Sequence, residues 1–86
     1  MEAEIMLDVD EVKPEELPEV EKRFRQWYAE GSEPRYGRSR YEYLQELDKP
    51  YRYLVNFGQA DPTLALQQLH SRLFRYGVKV FVHFLH

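Results

Sequence analysis

Apolar and polar residues alternate over residues 4–9, where Ile5, Leu7 and Val9 point one way and Glu4, Met6 and Asp8 the other. Period two is the mark of a half-buried strand. The spacing then changes. Between Pro18 and Glu30 the apolar residues Val20, Phe24, Trp27 and Tyr28 recur at helical intervals, with Leu17 one step before them. Pro18 suits the first helical position, Glu19 and Glu21 favour the positive end of the helix dipole, and Gly31 is the expected stop. Trp27, the one tryptophan, falls on the stripe assigned to the core.

Residues 32–50 admit two readings. Ser32-Glu33-Pro34 and Gly37 mark a loop, after which Ser39-Arg40-Tyr41-Glu42 has the S-x-x-E form of a capping box. That form predicts a short helix over 40–47 presenting Tyr41, Leu44 and either Leu47 or Tyr43. The alternative is a strand from Arg40 to Glu46 with Tyr41 and Tyr43 on one face. The explicit cap and the helix-forming Leu-Gln-Glu-Leu tip the balance to the helix. Asp48-Lys49-Pro50 ends the element in both cases.

Residues 51–57 (Tyr-Arg-Tyr-Leu-Val-Asn-Phe) read as a strand rich in aromatic and β-branched types. Asp61-Pro62 supplies an N-cap and a first-position proline for a second helix whose stripe is Leu66, Leu69, Leu73 and Tyr76, with Ala65 alongside and Gly77 as the stop. Residues 78–85 alternate as a last strand, with Val78, Val80, Val82 and Phe84 on one face and Lys79, Phe81, His83 and Leu85 on the other.

These elements predict an α+β fold: a small two-layer sandwich with a single core. With residues 40–47 as a strand it is a ferredoxin-like βαββαβ arrangement. With a helix there it is a β-α-α-β-α-β variant with a three-stranded sheet. In both, the strands at 51–57 and 78–85 run in the same direction, because a helical crossover joins them.

At 86 residues, 43% of them hydrophobic and 31% charged, the chain suits one domain over 1–86. No run approaches the roughly 20 apolar residues needed to span a bilayer, so no membrane partner is expected. The acidic start, Met1-Glu2-Ala3-Glu4, is unlike a secretory or transit signal. Cysteine is absent, which excludes disulfides, thiol catalysis and cysteine zinc sites and makes a cytoplasmic location the default.

The net charge of −3 is unevenly laid out. Nine acids and one base fall within residues 1–21, whereas eleven bases and six acids follow. Such a chain can present faces of opposite sign. The net acidity lowers the case for nucleic acid, which favours a basic excess.

Tyr51-Arg52-Tyr53-Leu54-Val55-Asn56-Phe57, Ala65-Leu66-Gln67-Gln68-Leu69 and Val78-Lys79-Val80-Phe81-Val82 together resemble the third strand, second helix and last strand of an RNA-recognition motif. The resemblance implies binding of single-stranded RNA or DNA on the sheet face. It departs at the two base-stacking positions, which become Arg52 and Leu54, while Met6 occupies the aromatic position of the first strand. Phe24-Arg25-Gln26-Trp27-Tyr28 resembles the first helix of dimeric α+β barrel proteins. That resemblance implies a homodimer acting on a small molecule.

Two groups of residues are candidates for binding. Met6, Leu54, Phe81 and His83 form a patch on the sheet face opposite the helices, and self-association is its simplest use. Arg35, Tyr36, Arg38, Arg40, Tyr41, Tyr43 and Arg52 interleave aromatic and cationic types, the residues that dominate protein interfaces and also suit stacking on single strands. About half of these tyrosines are expected to be core anchors instead. Glu4, Asp8 and Asp10 share a strand side, but no further ligand group accompanies them, and His70, His83 and His86 lack metal-ligand spacing. No nucleophile elbow or phosphate loop is present, so neither a catalytic set nor a cofactor is expected. The sequence therefore reads first as a non-enzymatic interaction domain, an inhibitor, adaptor or regulatory subunit of a larger protein. Nucleic-acid binding is the second choice, and a homodimeric barrel the third.

Overall fold

In the computed structural model, which describes residues 1–34 and 36–85, the first alternation becomes strand β1 (Glu2–Asp8). Ala3, Ile5 and Leu7 are buried, while Glu2, Glu4, Met6 and Asp8 occupy the other side. The chain then turns, with Val12 donating its N–H to the Val9 carbonyl at 3.0 Å, and passes through a 3-10 turn at Pro14–Glu16. Helix α1 (Leu17–Ser32) follows and buries Val20, Phe24 and Trp27. Strands β2 (Tyr43–Glu46) and β3 (Arg52–Asn56) form a hairpin; helix α2 (Pro62–Leu73) continues as a 3-10 turn at Phe74–Tyr76; strand β4 (Lys79–Phe84) completes the fold. Among the described residues this is a mixed α+β structure with two α-helices and one four-stranded antiparallel sheet in the order β2-β3-β1-β4.

Strands β3 and β4 run in the same direction, as the crossover requires, but β1 lies between them and is antiparallel to both. Hydrogen-bonding duty within β1 is divided by parity. The Met1 carbonyl accepts the Phe57 N–H and the Leu7 N–H donates to the Tyr51 carbonyl, on the β3 side, while the Glu2 carbonyl accepts from Leu85, on the β4 side. Odd residues of β1 therefore serve β3 and even residues serve β4. Both helices cover the face that carries Ile5, Leu7, Tyr53 and Val55, and all of these side chains belong to one core.

The three-stranded alternative is corrected by this topology. Residues 43–46 form a strand, not part of a helix. A helix of eight residues is marginal in isolation. Here it competes with a hairpin in which Tyr43, Leu44, Gln45 and Glu46 pair with Asn56, Val55, Leu54 and Tyr53. The strand also lets Tyr41 enter the core at 6% exposure, with its ring 5.3 Å from Trp27 and 5.2 Å from Phe57. Between β2 and β3 the chain reverses tightly, leaving Tyr51 at φ 60, a left-handed conformation that costs a residue with a Cβ about 1–2 kcal/mol. Its carbonyl is thereby aimed at the N–H of Leu7, 2.9 Å away.

Gly31 is also corrected. It lies inside the last turn of α1, which runs on to Ser32, and does not terminate the helix. What requires glycine there is proximity. A Cβ at this position would sit 2.0 Å from Tyr41 Cε2, and the Gly31 carbonyl accepts the Tyr41 N–H at 2.8 Å. The second helix follows its sequence signals more closely. The Asp61 carboxylate accepts the Thr63 N–H at 2.9 Å as an N-cap, and Gly77 at φ 86 closes the 3-10 turn after α2.

Trp27 is 1% exposed, as the stripe predicts, and its indole N–H donates to the Ala65 carbonyl of α2 at 2.9 Å. Trp27→Ala is expected to cost about 3–5 kcal/mol, as much as a small domain has in total, and to unfold the protein in a thermal melt. Gly31→Ala is expected to lower stability by about 1–3 kcal/mol through the clash with Tyr41, although alanine favours a helix by up to about 1 kcal/mol. Chemical denaturation of that variant checks which effect wins.

Candidate functional site

The loop joining α1 to β2 is held at both ends and projects between them. Its two ends meet where the Gly31 carbonyl of α1 accepts the Tyr41 N–H at 2.8 Å with the Tyr41 ring buried against Gly31 and Trp27, and its last residue, Glu42, donates its N–H to the Asn56 carbonyl at 2.7 Å. Tyr36 is 106% exposed, as open as in an extended peptide, and Arg38 and Arg40 are exposed beside it. Arg35 lies outside the described residues. Beneath the loop, between the end of α1 and the near flank of α2, runs a cleft of about 920 Å3. Trp27, Tyr41 and Leu64 line it together with Arg38, Glu30 and Arg72. Arg72 is ion-paired with Glu30, which ties the two helices at the cleft. That carboxylate raises the Arg72 guanidinium further above its ordinary range.

Of the interleaved Tyr and Arg residues, the fold brings Tyr36, Arg38 and Arg40 together on this loop. It sends the others elsewhere. Tyr41 spends its area inside the core. Tyr43 and Arg52 lie on the open face of the sheet, where the Tyr43 hydroxyl donates to the Glu2 carboxylate and Arg52 pairs with Glu4 at 3.8 Å.

That open face also carries Met6, Leu54, Phe81 and His83. Met6 and Phe81 are cross-strand partners, flanked on β3 by Arg52. Glu4 stands between Leu54 and His83, so the apolar patch is interrupted at its centre. Glu2, Glu4 and Asp8 make the middle strand an acidic column, the wrong sign for a phosphate backbone. Arg52 and Leu54, the positions that replace the stacking aromatics, share this face. Asp10 lies beyond β1, where its N–H donates to the Asp8 carboxylate at 3.0 Å. Among the described residues no group of three His, Asp or Glu side chains is placed to hold a metal ion, and no helix is long and apolar enough to cross a membrane.

A third surface was not singled out by sequence. Phe74 and Phe84 are 59% and 47% exposed on the outer flank of α2 and the adjacent edge of the sheet, with the His70 ring stacked 5.7 Å from that of Phe74. The sequence signal is the place of Phe74, one residue past Leu73 of the assigned stripe and four after His70, so that the two rings share a flank of the helix. No family model matches this chain, and neither the curated proteins nor the solved structures contain a match to it.

Burial pushes the Tyr41 and Tyr53 phenols above their ordinary value of 10.0, with nearby Glu21 adding to the shift at Tyr53. For a group whose native pKa is raised, stability is complete below the unfolded value and is lost as pH rises through the native one. The contribution of these two phenols is therefore expected to be constant up to about pH 10, and stability should fall as pH rises above it. The share of tyrosinate absorbance that belongs to the buried phenols should rise together with the loss of circular dichroism. Tyr41→Phe should reduce the alkaline loss relative to that of the wild type.

Proposed function

We propose that this chain is a small non-enzymatic interaction domain, an inhibitor, adaptor or regulatory subunit, that docks on a larger protein through the loop of Tyr36, Arg38 and Arg40. The observation that carries the reading is the pairing of a fully exposed tyrosine and two exposed arginines with a rigid base formed by Tyr41. A buried root limits the ordering cost of binding, and Tyr and Arg supply area and directional hydrogen bonds. The cleft beside the loop adds the exposed side chain of Leu64 and an arginine already held in place by Glu30. The two loop arginines favour a partner with an acidic surface.

We read the framework as a ferredoxin-like sandwich of a cytoplasmic chain. The order of elements, the sheet order β2-β3-β1-β4 and the placement of both helices on one face support it. On such a framework the α1–β2 connection is free to vary without disturbing the sheet, and binding functions favour such loops.

The test is comparative capture from the native host with wild-type protein, Tyr36→Ala, and Arg38→Ala/Arg40→Ala. A partner retained by the wild type should bind Tyr36→Ala at least about tenfold more weakly, the effect of losing an interface anchor. The arginine variant should slow association and reduce its salt dependence. Melting temperatures should be unchanged in both, since these side chains are exposed. A partner held equally by all three proteins would reject the loop as the docking site. Salt-sensitive binding of random oligonucleotides, lost in the arginine variant, would replace the reading with single-stranded nucleic-acid binding.

A further inference from the structure

The two edges of the sheet are built differently. At one edge β2 is four residues long, is preceded by Glu42 and ends in Glu46, which is ion-paired with Arg25 of α1. Short length and charge are the usual protections of an edge strand. At the other edge β4 is six residues long, Lys79-Val80-Phe81-Val82-His83-Phe84, and exposes an aromatic ring on each side of the sheet, Phe81 at 50% and Phe84 at 47%. Such an edge is a template for another strand.

Parity in β1 determines which backbone groups of β4 are available. Because Glu2 bonds to Leu85, the residues of β4 that exchange hydrogen bonds with β1 are Lys79, Phe81 and His83. Val80, Val82 and Phe84 turn their N–H and C=O outward, and none of these six groups bonds to a described residue. They are spaced symmetrically about Val82. A copy of the same strand, rotated about a twofold axis through Val82, meets all six in antiparallel register.

We propose that β4 pairs with the β4 of a second copy of this chain, centred on Val82, to join two four-stranded sheets into one of eight strands. In this register Val80 faces the second copy's Phe84 on the helix side. Phe81 faces the second copy's His83 on the open side, in the close, non-hydrogen-bonded position where cross-strand side chains interact most. Lys79 faces the second copy's Leu85, and the two Lys79 residues stand roughly 20 Å apart at opposite ends of the seam. No like charges meet. On the helix side, an apolar groove of about 620 Å3 between α2 and Phe84, lined by Leu66 and His70, lies along the seam. The seam uses the flank of α2 remote from the Tyr36 loop, so it stands independently of the docking function proposed above.

The test is sedimentation equilibrium of the full chain between about 1 μM and 1 mM, the range of moderate to weak association. A concentration-dependent dimer is expected for the wild type. Phe81→Lys/His83→Lys places cations opposite each other across the seam and should yield a monomer with unaltered circular dichroism, since both side chains are exposed. Phe81→Glu/His83→Lys instead sets opposite charges against each other in the same register and should restore the dimer. A wild type that stays monomeric throughout the range would overturn the proposal. So would a dimer that survives the double lysine change, or one lost equally in both variants, the result expected if the open face rather than the edge were the contact.

Discussion

A buried indole has one polar atom to satisfy, and in Trp27 that atom spans the boundary between the helices by donating to Ala65 of α2. The ring does the rest of the joining. It lies within 5.5 Å of Phe24, 5.3 Å of Tyr41 and 6.2 Å of Phe57, so one side chain touches its own helix, the root of the projecting loop and the end of β3. Leaving the indole N–H unpaired in such a place would cost about 1–3 kcal/mol. The relative position of α1 and α2 is therefore fixed by a directional bond as well as by packing. Gly31 is the corollary: Tyr41 reaches the indole only because nothing protrudes from the backbone of α1 at that turn.

The framework was largely legible because its signals are periodic. The stripe Val20, Phe24, Trp27 and the alternation Ile5, Leu7 each match one face of one element, and Asp61-Pro62 and Gly77 punctuate α2 by local chemistry alone. Residues 40–47 misled because their local signal and their best partner disagree. Ser39-Arg40-Tyr41-Glu42 has the form of a helix cap, but the strand is decided by gains that lie outside the segment itself, the pairing with β3 and the burial of Tyr41 against Trp27 and Phe57. Gly31 misled in the opposite sense, since a glycine kept for close approach is spelled the same way as one kept for a turn. As for binding residues, composition gathered the tyrosines and arginines into one segment. Only the fold separates Tyr36, Arg38 and Arg40 on a loop from Tyr43 and Arg52 on the sheet.

The uneven charge of the sequence is reorganised in the same manner. The acids of residues 1–21 do not gather on one face. Glu2, Glu4 and Asp8 line the centre of the open sheet, whereas Glu19 and Glu21 pair along α1 with Arg23 at 3.2 Å and Arg25 at 3.7 Å. Exposed pairs of this kind contribute little to stability. Their effect is to neutralise arginines that would otherwise add to the positive field, which leaves Arg38 and Arg40 as a more distinct feature of the surface.

Placing β1 in the middle of the sheet also governs the order in which the molecule can assemble. Glu4 pairs with Leu54 on one side and with His83 on the other, so the strand nearest the start of the chain waits for partners dozens of residues downstream. The β2–β3 hairpin is the sole strand pairing, among the described residues, that forms between close neighbours in sequence. Loops of such length must close before their contacts reward the closure, which slows folding. On a ribosome, β1 emerges before both of the strands it pairs with. Its Ala3, Ile5 and Leu7 must stay out of wrong associations until β4 has been made, with the alternating Glu2, Glu4 and Asp8 as the charges that keep that segment apart from other chains.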